Sequence, residues 1–190
     1  MPTKIEIAAY SDAWVPAFEK ERQLLATHLQ GLHPQIEHIG STAVKGLGAK
    51  PVIDIMVGLP AGEALALSVA PLTELGYCYY RCYESAMPER RFFARLKNLP
   101  GQAFEKETQL PERDLFPPTH HIHMVIHGSS FWKRHLAFRD YLRTHPMARD
   151  AYHRMKVKLA NGTWESSNDY AEAKTGFIRS IERLMGLGGG

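Results

Sequence analysis

A mixed β-sheet flanked by helices, of the α/β or α+β class, is the fold that this 190-residue sequence predicts. Three observations carry the prediction. Val52-Ile53-Asp54-Ile55-Met56-Val57 is a continuous apolar run broken once by a carboxylate, the pattern of a strand covered on both faces. Two further runs, Arg91 to Lys97 and His120 to His127, alternate polar and apolar residues as strands do. The last third of the chain reads as three helices, with Pro146 separating the first two and Asn161-Gly162 ending the second.

In chain order, Lys4 to Ala9 reads as a short extended segment. Ser11 and Asp12 then offer N-cap oxygens to a helix reaching about Gln30, with Pro16 in its first turn and Gly31 and Pro34 beyond its end. Gln35 to Ile39 is a short strand running into Gly40-Ser41-Thr42-Ala43. Next come the Val52 strand, a helix from Gly62 to Leu75 with Pro71 near its end, and a strand from Tyr77 to Arg81. Glu84 to Glu89 is the turn into the strand Arg91 to Lys97. Leu99 to Thr119 holds four prolines, so it is a long loop, expected as a lid or a disordered connection. The three helices are expected over Ser130 to Arg143, Met147 to Ala160 and Asn168 to Met185.

With 44% hydrophobic and 23% charged residues the chain can bury one sizeable core. A single domain over 1–187 is expected, with a sheet-containing core at 1–128, C-terminal helices at 129–187 and a disordered tail at 188–190. The net charge of +3 suits an anionic small ligand and gives no strong nucleic-acid signal. No stretch approaches the roughly 20 apolar residues that span a bilayer, so a cytoplasmic protein with no membrane partner is expected. Cys78 and Cys82 read as ordinary buried thiols sharing one strand face. Oligomeric state leaves no mark in the sequence.

Candidate site residues are those the hydrophobic effect would not place where they stand. Asp54 interrupts an apolar strand, which costs several kcal/mol unless a cation, a metal or hydrogen-bond donors meet it. It either serves a ligand or pairs structurally with a neighbour such as Lys50. Alternation puts Arg91, Phe93, Arg95 and Lys97 on one face of their strand, either a solvated basic face or a phosphate-holding one. His121 and His123 share a face opposite Ile122, Met124 and Ile126, and could bind a metal, donate to a phosphate, or be structural. Gly40-Ser41 after a strand suits phosphate oxygens, since glycine lets the backbone approach closely. Asp54, thirteen residues after Ser41, completes a small-residue turn for phosphates with a strand carboxylate for magnesium. Tyr152 with Lys156, and Tyr170 with Lys174, are spaced to share a helix face. Each pair offers either an aromatic surface and a cation to a nucleotide, or ordinary packing with the lysine lying over its tyrosine. Arg139-Asp140 reads as structural, an ion pair docking its helix on the sheet.

The run Ile36-Glu37-His38-Ile39-Gly40-Ser41-Thr42-Ala43-Val44, then Gly46-Leu47 and Ala49-Lys50-Pro51-Val52-Ile53-Asp54-Ile55, resembles the signature of the GrpB-like family. The likeness continues through Leu75-Gly76-Tyr77, Arg91-Phe92-Phe93, His121-Ile122-His123, Phe138 to Arg143, Tyr152 with Lys156, and Tyr170 with Lys174 and Phe177. The same domain also occurs fused behind dephospho-CoA kinase. The resemblance implies a nucleotidyltransferase-superfamily fold, with Gly40 and Ser41 matching its phosphate turn and Asp54 the first acid of its Asp-x-Asp/Glu motif. Met56 stands where the second acid would be. A thioether is a poor ligand for a hard cation, so a standard two-metal site is in question.

Two readings follow. In one, a nucleoside triphosphate is held by Gly40, Ser41, Thr42, Lys50, Arg91, Arg95, His121, His123, Tyr152, Lys156, Tyr170 and Lys174. Asp54, with His123, then holds Mg2+ while a nucleotidyl or phosphoryl group moves to a small acceptor, and Asp54 and Ser41 serve as catalytic groups. In the other, the domain binds a phosphorylated metabolite or a partner protein without catalysis. A histidine-based metallohydrolase is a third reading, resting on His120 to His127 alone.

Overall fold

The computed structural model describes residues 4–187, so the expected tail at 188–190 lies outside the described residues. Among them five strands form one mixed sheet: β1 (Gln35–Ile39), β2 (Ile53–Leu59), β3 (Cys78–Tyr79), β4 (Arg90–Leu96) and β5 (Pro118–Ile126). Their order is β1-β2-β5-β4-β3, with β2 and β5 parallel and the other neighbours antiparallel. The α+β expectation holds.

Strand register decides which side chains meet. Ile39, Asp54, His121 and Ala94 stand in one row across the sheet, and Glu37, Met56, His123 and Phe92 in another two residues along. Side chains alternate along a strand, so both rows project from the same face. The row between them, with Ile55, Ile122 and Phe93, projects from the opposite face. All three are fully buried there with Val57, Met124, Leu72 and Tyr77. Each such side chain contributes about 1.5–3 kcal/mol of burial free energy.

Helix α1 (Trp14–His28) covers that apolar face through Trp14 and Leu25. It starts slightly later than its expected caps: Ser11 Oγ accepts from the Ala13 N–H at 3.3 Å, and the first helical residue is Trp14. The helix expected over 62–75 is two pieces, α2 (Glu63–Leu67) and α3 (Val69–Glu74). Pro71 has no N–H to offer the Leu67 carbonyl, which interrupts the ladder.

Four helices follow the sheet: α4 (Ser130–Thr144), α5 (Pro146–Ala160), α6 (Ser167–Glu172) and α7 (Thr175–Leu184). The third expected helix is broken between α6 and α7, where the Lys174 N–H turns tightly to the Ala171 carbonyl. Arg139 on α4 donates to Glu37 Oε2 at 2.6 Å and to the His38 carbonyl at 2.9 Å, so it docks the helix on β1 as expected. Lys4 to Ala9 forms no full strand and pairs only as a bridge between Ala8 and Ala49.

Tyr77 to Arg81 is strand only at Cys78 and Tyr79; a tight helical turn follows at Arg81–Tyr83 and carries Cys82, half-buried and off the strand. The proline-rich segment from Leu99 is neither free nor structureless. Backbone bonds of 2.8 Å tie Gln102 and Phe104 to Tyr79, and Phe104, Leu110 and Phe116 pack with Leu96 and Tyr80.

Candidate functional site

The face carrying Asp54 and His121 is not fully covered. Helix α4 seals one end with Phe131 and Trp132 over Met56 and Val125. Beside that seal lies a cavity of about 440 Å³ walled by the Gly40-Ser41 turn, the sheet, α5, the α6–α7 break and the segment after Leu99.

Asp54 Oδ1 and His121 Nδ1 are 3.0 Å apart. An ionised carboxylate only accepts, so the imidazole donates from Nδ1. Burial alone would raise the Asp54 carboxyl, but the His121 hydrogen bond and charge, with His123 and Lys50 behind them, outweigh it and hold the group at about 2. Gly40 makes this closeness possible. Its φ of +69° favours glycine, and a Cβ there would collide with Asp54 Oδ2.

Five cationic side chains border the same cavity: Lys50, Arg90, Arg113, Lys156 and Lys174. Asp54 is the one carboxylate among its lining residues. Lys156 is buried, donating to Ser41 Oγ at 2.9 Å and to the Gly48 carbonyl, with Nζ 5.0 Å from the Tyr152 ring centre. Burial and the nearby Lys174 pull its ammonium down to about 7. Lys50 falls to about 8, through burial first and then the charges of Arg113 and Lys174. Burial also lowers Lys174, Arg90 and Arg113. Lys50 and Lys174 lie 5.2 and 4.7 Å from the Tyr170 ring centre, and the buried Tyr170 hydroxyl has no partner among the described residues.

Of the sequence-predicted residues, the structure brings Gly40, Ser41, Lys50, Asp54, His121, His123, Lys156, Tyr170 and Lys174 to this cavity. Tyr152 stands directly behind, its ring under Lys156 and its own edge on a smaller adjoining void. Three residues are elsewhere. Thr42 is buried, its hydroxyl 3.0 Å from His38 Nε2. Arg91 and Arg95 share the face of Phe93, away from the cavity. Arg91 pairs with Glu84 at 3.1 Å, and Arg95 with Glu21 at 2.9 Å over the Tyr77 ring. The alternation was read correctly, but the basic face is the one that packs on the helices. Arg90, one residue earlier, is the β4 cation that reaches the cavity. Its Nη1 lies 3.3 Å from His123 Nδ1, and guanidinium only donates, so that nitrogen accepts.

Arg90 and Arg113 escaped the sequence reading for different reasons. Arg90 is the first residue of β4, one before the expected strand start, and lies on the face opposite Arg91 that was expected to be core. Arg113 sits in the proline-rich segment, which carries no periodicity to orient it.

The donor set is a poor fit to a pair of magnesium ions. Met56 is fully buried beneath α4, and Glu37, one strand over, is engaged by Arg139. Among the described residues no group of three or more His, Cys, Asp or Glu is arranged to hold a metal ion. Also among them, no helix is long and apolar enough to cross a membrane.

Comparisons with known proteins agree on one family. The family profile described as GrpB protein matches residues 4–184. The glutamate-rich protein GrpB of Alkalihalophilus pseudofirmus is 30% identical over 183 residues, covering 96% of both chains. The UPF0157 protein YqkA of Bacillus subtilis is 31% identical over 94% of this chain, which spans only 46% of that relative's length. A crystal structure of the conserved protein GrpB from Enterococcus faecalis superposes with a TM-score of 0.73 at 31% identity, covering 94% of this chain and 96% of the other. With the profile match reaching from Lys4, the first described residue, to Leu184 at the end of α7, the chain belongs to the GrpB family.

Proposed function

We propose that the protein binds a phosphorylated small molecule, a nucleoside triphosphate being the leading class, with its phosphates among Lys50, Lys156, Lys174, Arg90 and Arg113. The observation that carries this reading is the charge imbalance of the cavity: five cations border about 440 Å³ with Asp54 the one carboxylate. Clustering buried and half-buried cations is costly, and a polyanion offsets that cost. Tyr80, Tyr83 and Phe92 line the same space and offer ring faces to a base.

Nucleotidyl or phosphoryl transfer is the extension favoured by the Asp54–His121 pair, a carboxylate fixing an imidazole beside the phosphate-holding groups. The residues fit a divalent ion only as one arriving chelated by the ligand's phosphates, with Asp54 supplying a single hard oxygen. Such an ion would neutralise charge on the transferred group.

Thermal melting with pyrophosphate, ATP, CTP, GTP and coenzyme A, each with and without magnesium, tests the reading. Ligand at 100 times its dissociation constant stabilises by about 2.7 kcal/mol. Stabilisation by a phosphorylated ligand, lost in Lys156→Met and Arg90→Ala, is expected. Absence of any shift across the panel overturns it, and magnesium-independent shifts that survive Asp54→Ala favour binding without catalysis.

A further inference from the structure

A second void of about 150 Å³ adjoins the basic cavity. Its apolar walls are Val44, Phe138, Leu142, Tyr152 and Ile178, contributed by the segment after β1 and by α4, α5 and α7, and His135, Arg139 and Lys174 complete the lining. Close-packed interiors leave few voids larger than a water molecule. This one exceeds a water's share of about 30 Å³ several-fold, and an apolar void near 150 Å³ can stay dry and hold a benzene-sized molecule. It is not isolated from the chemistry: Gly40, Ser41, Asp54, His135, Lys174 and Ile178 border both spaces. The two voids therefore meet at the Asp54 carboxylate and the Ser41 hydroxyl.

We infer that this smaller chamber takes the apolar end of a second small molecule, a short aliphatic or single-ring alcohol or amine, whose donor group hydrogen-bonds Asp54 where the chambers join. The size limit follows from the volume, and the apolar body from the lining. Asp54 sets the polar end. An ionised carboxylate accepts and does not donate, which selects a hydroxyl or ammonium over a second anion. Two cations also line it, but the Arg139 guanidinium is engaged by Glu37 and Asp140, and Lys174 stands on the border shared with the larger cavity. The inference rests on the phosphate reading only in naming the molecule a second ligand; the chamber and its occupant stand without it.

Benzyl alcohol is a suitable probe, followed by methyl NMR of Val44, Leu142 and Ile178, with pyrophosphate binding measured on the same samples. Saturable shifts of those methyls are expected. Leu142→Phe, at a position lining the smaller chamber alone, should fill the void and weaken benzyl alcohol about tenfold, the equivalent of about 1.4 kcal/mol, with pyrophosphate affinity changed by no more than about twofold. Val44→Leu, a smaller filling change, should give the same ordering if Leu142→Phe does not fold. Unmoved methyls in the parent protein at the solubility limit of benzyl alcohol, or binding undiminished by filling, overturn the inference. Benzyl alcohol binding without pyrophosphate binding sustains the chamber and removes the phosphate reading instead.

Discussion

Asp54 and His121 stand opposite each other on parallel strands, joined by a 3.0 Å hydrogen bond that holds a proton on Nδ1. Asp54→Asn removes this preference and the one carboxylate bordering the cavity. Imidazole nitrogen shifts should then report mixed tautomers at His121. Magnesium-free pyrophosphate should bind about tenfold tighter, because a unit negative charge has left its surroundings. The magnesium-dependent part of any ATP stabilisation should vanish.

The same carboxyl sets a pH dependence. Its folded-state value of about 2 lies below the ordinary value of about 3.9, so it stabilises the fold above the higher figure, and this is lost as pH falls through the lower. Acid unfolding followed by circular dichroism should show Asp54→Asn lacking on the order of 2 kcal/mol of the loss that the parent suffers between about pH 4 and 2.

Lys50 and Lys156 give the opposite dependence. Burial lowers them to about 8 and about 7, against about 10.4 for an unfolded lysine. Between those values the unfolded chain binds more protons, so the ligand-free protein gains stability as pH rises from about 7 toward 10. An anion favours the protonated lysines. Pyrophosphate should bind with proton uptake at about pH 8 and weaken as pH rises further, which calorimetry in buffers of different ionisation enthalpy reads directly.

Arg90 and Arg95 separate binding from stability. Arg95→Ala strips Glu21 of its guanidinium partner and should destabilise the fold by about 2 kcal/mol, leaving pyrophosphate affinity intact. Arg90→Ala should weaken pyrophosphate at least about tenfold with a smaller stability change, since its Nε is buried without a partner among the described residues. Urea unfolding and calorimetry on the two variants distinguish them.

Much of this was legible in the sequence because burial leaves a simple mark. The Val52 run located the central strand, its lone carboxylate located the cavity, and the His121–Ile122–His123 alternation assigned faces correctly. What stayed hidden depended on what covers each face. Arg91 and Arg95 look like a binding surface until Glu84 and Glu21, distant or unordered in the sequence, are placed against them. Thr42 looks like part of a phosphate turn until His38 claims its hydroxyl. Arg113 could be found only by folding a segment whose prolines erase periodicity.

Gly40 tests how tightly the turn and the carboxylate are coupled. Gly40→Ala must adopt φ +69°, ψ −171°, a region essentially closed to side chains, and must also push Asp54 aside. A loss of about 3 kcal/mol is expected, with altered His121 shifts even in the folded fraction. Wild-type stability and shifts would detach the turn from the site.

Met56 provides the last test, because simple restoration of the missing acid should fail. Its side chain is fully buried with Ile39, Val125, Phe131 and Trp132, so Met56→Asp would set a carboxylate among hydrocarbon under α4, two residues along the same face from Asp54. An unpaired buried charge of this kind costs about 3–5 kcal/mol. The variant should unfold at much lower urea concentration, and magnesium should not rescue it. Magnesium-dependent stabilisation of Met56→Asp would instead mean that α4 moves away from the sheet, exposing a second metal-ligand position that the covered arrangement denies.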